Sequence, residues 1–275
     1  MASNTDRATR DMAWLARRLR IDDWIYPTAT IVAFVVLWDV SVRIFNVKTV
    51  VLPSPGQVYD SLIADWGELA PHMLFTIYEI VAGFALSVVI GIGLAIAIVT
   101  WRPIEKSIYP ILVGSQVIPK IALAPLFVIW FGFGIEPKIL IAFLIAFFPV
   151  VISTVVGLRS LEIEKLYLAR SMGASELQMF FKIKLPNAMP NVFAGLKLSI
   201  TAAVIGAIVG EYIGADRGIG RVLLEANGDM ETELLFAGIV LLSITGVILF
   251  LIIDGLERVM IRWHVSQRLR EQPMP

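Results

Sequence analysis

The chain reads as six long apolar blocks separated by short polar segments. A helix needs about 20 predominantly apolar residues to cross the roughly 30 Å hydrocarbon core of a bilayer. The blocks at 25–45, 74–99, 107–131, 138–157, 192–214 and 235–256 each predict one such span. The third is the least uniform, because Pro119-Lys120 interrupts it. The first follows a long charged tail, is too long an apolar run for a secretory signal and ends in no small-residue cleavage site, so it is expected to be retained.

Lys and Arg gather on one side of these spans. Arg7, Arg10, Arg17, Arg18 and Arg20 precede the first block, and Arg102 and Lys106 lie in 100–106. Arg159, Lys165, Arg170, Lys182 and Lys184 lie in 158–191, and Arg258, Arg262, Arg268 and Arg270 close the chain. The other side holds Lys48, Lys138, Arg217 and Arg221. Cytoplasmic loops are the Lys- and Arg-rich ones, so sixteen against four predicts both termini in the cytoplasm. The expected organisation is all-α: a cytoplasmic tail 1–24, one membrane domain 25–257 and a cytoplasmic tail 258–275.

Composition agrees. Of 275 residues 57% are hydrophobic and 17% charged, against about 45–50% and about 25% in soluble domains. This much apolar surface with so few charges to coat it predicts an integral membrane protein and excludes disorder. With no cysteine, disulfides, thiol catalysis and cysteine-ligated metals are excluded. Zero net charge offers nothing to nucleic acid. The two histidines, His72 and His264, have no metal-ligand partner at helical spacing and are expected at the membrane interface. No nucleophile–base pair or metal cluster suggests an enzyme, and no cofactor is implied. The dipeptide Gly-Lys never occurs, so the chain has no phosphate loop. If transport here is driven by ATP, another subunit binds the ATP.

The segment 158–191 is the longest expected cytoplasmic loop and is strongly patterned. Ile163, Leu166, Tyr167 and Arg170 recur at three-to-four spacing, predicting a short amphipathic helix. Gly173 can take the left-handed conformation that ends it. Ser175 and Gln178 form a capping-box pattern for a second helix, with Leu177, Phe180 and Phe181 on an apolar side. Leu185-Pro186 is expected to stop that helix before the fifth span. Spacing alone allows either an interfacial helix lying on the bilayer or a knob for a cytoplasmic partner.

The run Ala169-Arg-Ser-Met-Gly173, nine residues, then Ile183-Lys-Leu185-Pro186 resembles the EAA loop of ABC importer permeases. That pattern is Glu-Ala-Ala, three residues, Gly, nine residues, Ile-x-Leu-Pro. Tyr167 and Leu168 depart from its first two members, and Ala169 agrees. Leu52-Pro-Ser-Pro-Gly-Gln-Val58, Pro119-Lys-Ile-Ala-Leu-Ala-Pro125, Trp130-Phe-Gly-Phe-Gly134, Gly195-Leu-Lys, Glu211 and Gly218-Ile-Gly220 resemble the nitrate/sulfonate/taurine subfamily. The resemblance runs from about residue 50 to 260. It implies a six-helix type I importer permease of the bacterial inner membrane, without catalytic residues, working as a dimer, most simply a homodimer. It also implies two cytoplasmic ATP-binding subunits and an extracytoplasmic binding protein that delivers a small, nitrate-, sulfonate- or taurine-like anion. Tyr167, Ala169, Gly173, Ala174, Ser175, Leu185 and Pro186 would then seat in the ATPase.

The pathway is less legible. Ala202, Gly206, Gly210 and Gly214 form a small-residue stripe, which suits close helix packing or a pore lining. Charges inside spans are costly unless paired or wet. Asp39 and Arg43, four apart, are expected to pair. Lys120, at the expected break, would suit an anionic solute or would pair with Glu79 or Glu211. Glu79, Lys120, Lys197, Gly206, Gly210 and Glu211 are the pathway candidates. The acidic segment 215–234 reads as a dock for the binding protein or as a solvated loop. The rival reading, an ion-coupled secondary transporter, needs internal repeats and a midplane ion site. Halves 1–137 and 138–275 show no convincing repeat. Dependence of transport on ATP, with the proton gradient held, separates the two.

Overall fold

The computed structural model describes residues 25–214 and 216–261. The tail 1–24 and residues 262–275, with His264, lie outside the described residues. The described chain is helical: α1 (Ile25–Ile44), α2 (Pro55–Ala64), α3 (Trp66–Thr100), α4 (Arg102–Ser115), α5 (Ala124–Phe131), α6 (Glu136–Arg159), α7 (Ile163–Ser171), α8 (Glu176–Met179), α9 (Leu185–Tyr212), α10 (Ile219–Gly228) and α11 (Thr232–Met260). Five helical segments are long and apolar enough to span a membrane. The third expected span is where structure departs from expectation. In place of one helix over 107–131, α4 and the segment Lys120–Phe131 meet at a 93° bend. The cause is local: Pro119 supplies no N–H and disfavours helical backbone at Ile118, and a short 3₁₀ turn, Lys120–Leu123, restarts the helix.

The fifth span also differs. Leu185-Pro186 does not stop α8; Glu176–Tyr212 is one 37-residue helical rod, about 55 Å long at 1.5 Å per residue. A π-helical turn at Phe180–Lys184 joins α8 to α9. A proline ring clashes with the carbonyl four residues back in a regular helix. The wider turn under Pro186 relieves that clash, so the rod continues.

The core is the contact of α6 with α9 and α3. Glycine makes it possible. A Cβ on Gly206 would stand 2.6 Å from the Ala142 Cα, one on Gly195 2.5 Å from the Ser153 Cβ, and one on Gly83 2.6 Å from the Ala142 Cβ. Ile80, Ala142, Ala146, Val150, Val192, Ile200 and Ala203 fill this seam. Ser199 Oγ donates to the Ala146 carbonyl at 2.7 Å. A second cluster, with Leu69, Met73, Ile219, Leu223 and Leu241, holds α10 and α11 against the start of α3. By contrast α1 is barely buried. It is held at Trp38, whose Nε1 donates to the Pro53 carbonyl at 3.0 Å and whose ring meets Phe236.

The Pro-Ser-Pro-Gly-Gln motif is a helix start. Ser54 caps α2, Pro55 occupies its first turn, and Gln57 closes the capping box onto the Ser54 amide.

The seam predicts a contrast between glycines. Gly206→Val is expected to destabilise by about 1–3 kcal/mol, since overpacking a filled seam costs that much. Gly93→Ala, where a Cβ would meet nothing within 4 Å, is expected to be neutral or stabilising. Thermal unfolding of the detergent-solubilised protein reads both.

Candidate functional site

The loop between α6 and α9 forms a knob. Gly173 takes φ +79°, and its amide donates to the Arg170 carbonyl at 2.9 Å while the Ala174 amide reaches Ala169 at 3.0 Å. This is the expected left-handed helix stop. Ser175 then caps α8, with Gln178 returning its side chain to the Ser175 amide at 2.9 Å. Arg170 bridges the turn to Glu176 at 2.8 Å.

The expected amphipathic side of this loop does not turn inward. Ala169 and Met179 are its buried residues, while Tyr167 is 65%, Met172 79% and Leu177 72% exposed. Ile163, Leu168 and Phe181 are exposed as well. Leu185 and Pro186 sit half-buried at the root, where the π turn meets the rod. The product is an apolar tip on a rigid stem.

The pathway candidates separate into two groups. Gly206 and Gly210 lie against α6, Gly210 with its would-be Cβ 3.0 Å from the Lys138 Cα. Glu79 and Glu211 are each 1% exposed. Lys197 bridges Asp254 and Glu257 across the α9–α11 seam. Lys120 is half-buried at the bend. It pairs with neither Glu79 nor Glu211; its Nζ donates to the Gln116 carbonyl at 3.3 Å and lies 4.4 Å from the Phe148 ring centre. Around it the bend exposes Val117 (87%), Ile118 and Ile121. Asp39 and Arg43 pair at 2.8 Å.

The partner of Glu79 is Lys138, at 3.5 Å, and both are buried. Sequence reasoning placed Lys138 among the solvent-facing charges beyond the spans. Burial draws it inward, because its helix starts directly under α9, where Gly210 leaves room for its backbone. Glu79 Oε2 accepts no hydrogen bond among the described residues.

Glu211 adjoins this pair and faces α10. One of its oxygens accepts from Thr76 Oγ1 at 2.6 Å, and the other accepts the Gly220 amide. Thr76 Oγ1 in turn accepts the Ile219 amide at 2.9 Å, and His72 Nδ1 accepts the Gly218 amide at 2.9 Å. His72, expected at the membrane interface, is therefore a structural acceptor. Three successive amides at the start of α10 are taken by side chains from α3 and α9.

Comparison with known proteins fits this architecture. Residues 69–262 match the family described as binding-protein-dependent transport system inner membrane component. The formylaminopyrimidine transport permease protein ThiX of Halalkalibacterium halodurans is 36% identical over 88% of this chain and 96% of its own. The riboflavin transport system permease protein RibX of Chloroflexus aurantiacus is 33% identical, over 86% and 89%. The aliphatic sulfonates permease SsuC of Bacillus subtilis is 32% identical, over 88% and 89%. Among solved structures, a chain of the inward-facing MetNI methionine ABC transporter superposes with TM-score 0.62 at 19% identity, over 70% of this chain and 95% of that one.

The chain belongs to the binding-protein-dependent ABC permease family, as its non-catalytic membrane component.

Breaking one side of a buried ion pair leaves an uncompensated charge, at about 3–5 kcal/mol. Lys138→Met is expected to lower thermal stability by that order. Lys138→Met combined with Glu79→Gln is expected to recover part of the loss. Unfolding midpoints of the parent, Lys138→Met, Glu79→Gln and the double variant test the cycle.

Proposed function

We propose that this chain forms, with a second copy of itself, the membrane pathway of an ATP-driven importer for a small anionic solute delivered by an extracytoplasmic binding protein. Two cytoplasmic ATPase subunits drive it, each receiving one α7–α8 knob. The observation that carries the reading is that knob: an exposed apolar tip, shaped by Gly173 and Ser175, on a rod that runs without interruption into α9. Exposed apolar surface of this kind marks an interaction site. The Lys and Arg bias of the 158–191 loop supports a cytoplasmic knob, with both termini on that side, in the inner membrane of a bacterium.

Tyr167, Ala169, Gly173, Ala174, Ser175, Leu185 and Pro186 divide the work. Tyr167 meets the ATPase and Ala169 packs the stem. Gly173, Ala174 and Ser175 set the angle of the tip. Leu185 and Pro186 anchor the knob to the rod. ATP-driven closure of the ATPases draws two knobs together, and the rods pass that displacement through the membrane.

Lys120 supports the anionic solute. Irregular backbone at membrane depth is tolerated where it is buried in protein or lines a cavity, and here the bend carries a cation without a carboxylate partner among the described residues. The bend of each subunit faces the pathway. Glu79, Glu211, Lys197, Gly206 and Gly210 serve the walls behind it.

The test is reconstitution of the permease with its ATPase subunits. Gly173→Val opposes the left-handed turn by about 1–2 kcal/mol and is expected to cut ATPase capture about ten-fold, while Gly173→Asn, which tolerates that conformation, retains it. In proteoliposomes, Lys120→Glu is expected to abolish uptake of the solute while leaving ATP hydrolysis measurable, and Lys120→Arg to retain uptake. A neutral solute, moved equally well by Lys120→Glu, would remove the anion from the reading.

A further inference from the structure

The first turn of α10 has an unusual cap. Helices leave their first N–H groups without intrahelical partners, and a Ser, Thr, Asp or Asn at the N-cap ordinarily takes one. Here the N-cap is Gly218, at φ +122°, with no side chain to offer. The amides of Gly218, Ile219 and Gly220 go to His72 and Thr76 on α3 and to Glu211 on α9. Fit is close enough to require glycine at both ends. A Cβ on Gly218 would fall 2.1 Å from a Glu211 carboxylate oxygen, and one on Gly220 2.7 Å from the other. The Thr76 hydroxyl donates to Glu211 while accepting from Ile219, so the cap closes only when α3 and α9 are in register.

The position of this cap gives it consequence. Glu211 is the penultimate residue of α9, at the far end of the 37-residue rod that begins beside Ser175. A displacement applied at the knob therefore arrives at the cap as a shift of Glu211 against Thr76. Hydrogen-bonded junctions of this kind hold one arrangement or lose it; they do not stretch.

We propose that the start of α10 is a latch, capped across helices by His72, Thr76 and Glu211, that opens when α9 moves against α3 during the transport cycle and thereby ties the far surface, where α10 lies, to the state of the knob. His72, Thr76 and Glu211 are positioning residues and touch no solute. This rests on the ATP-driven reading given above.

The test is hydrogen exchange of the peptide containing residues 216–222 in the permease–ATPase complex, compared without nucleotide and after trapping with Mg-ATP and orthovanadate. The three amides are expected to be protected in one state and to exchange about ten-fold faster or more in the other, as follows when their side-chain acceptors are withdrawn. Thr76→Val and Glu211→Gln are expected to make exchange fast in both states and to raise ATP hydrolysis in the absence of binding protein about three-fold, while Thr76→Ser behaves as the parent. His72→Leu, at a half-buried position, is a milder variant should the others fail to assemble, with faster exchange expected at Gly218. Equal exchange in the two states of the parent complex, with trapping verified by loss of ATPase activity, would overturn the latch and leave the importer reading standing. A complex that neither assembles nor hydrolyses ATP would strike the importer reading itself.

Discussion

Everything in this protein hangs on the close approach of α6 and α9. Two helices in a bilayer gain nothing from excluding lipid, which is as apolar as their own side chains, so contact and hydrogen bonding hold them. Gly195 and Gly206 let the backbones meet where any Cβ would collide, and Gly210 where one would be tight. The pair then acts as one beam. The knob is rigid because its stem continues into that beam, Lys138 is buried because its helix begins under it, and Glu211 reaches α10 because the beam ends there.

Backbone polarity sets the second constraint. Inside a bilayer each unpaired amide or carbonyl costs several kcal/mol, so every departure from regular helix needs an answer. At Pro119 the answer is a 3₁₀ turn and a lysine over a ring. At Pro186 it is a π turn. At Gly218 it is three side chains from elsewhere in the fold. These three places are also where the regular helices give way to the surfaces expected to work: the pathway, the knob and the far face.

The stripe of small residues in α9 and the charges within spans illustrate how one pattern supports two meanings. Spacing alone left packing and pore lining open for Gly206 and Gly210, and packing is what the seam displays. Lys120 and Lys138 are both lysines beside a proline near a span. One is half-buried at a bend and the other is buried against Glu79. Nothing in the neighbouring residues separates them, because the difference lies in which helix passes overhead.

The sequence by itself determined what is local or additive. Hydropathy located the spans, because transfer into hydrocarbon sums along a segment. The capping box at Ser175 and the left-handed turn at Gly173 were legible, because each closes within a few residues. The asymmetry of Lys and Arg and the spacing from Ala169 to Pro186 pointed to the family. Tertiary structure decided the rest. The direction of the bend at Pro119, the passage of the rod through Pro186, the choice of Lys138 for Glu79 and the capping of α10 by His72 and Thr76, 146 and 143 positions away in the chain, depend on partners brought together only by packing. A pattern read along the chain carries propensity and period; it does not carry which faces meet, and in this protein the buried charges and the cap of α10 are matters of which faces meet.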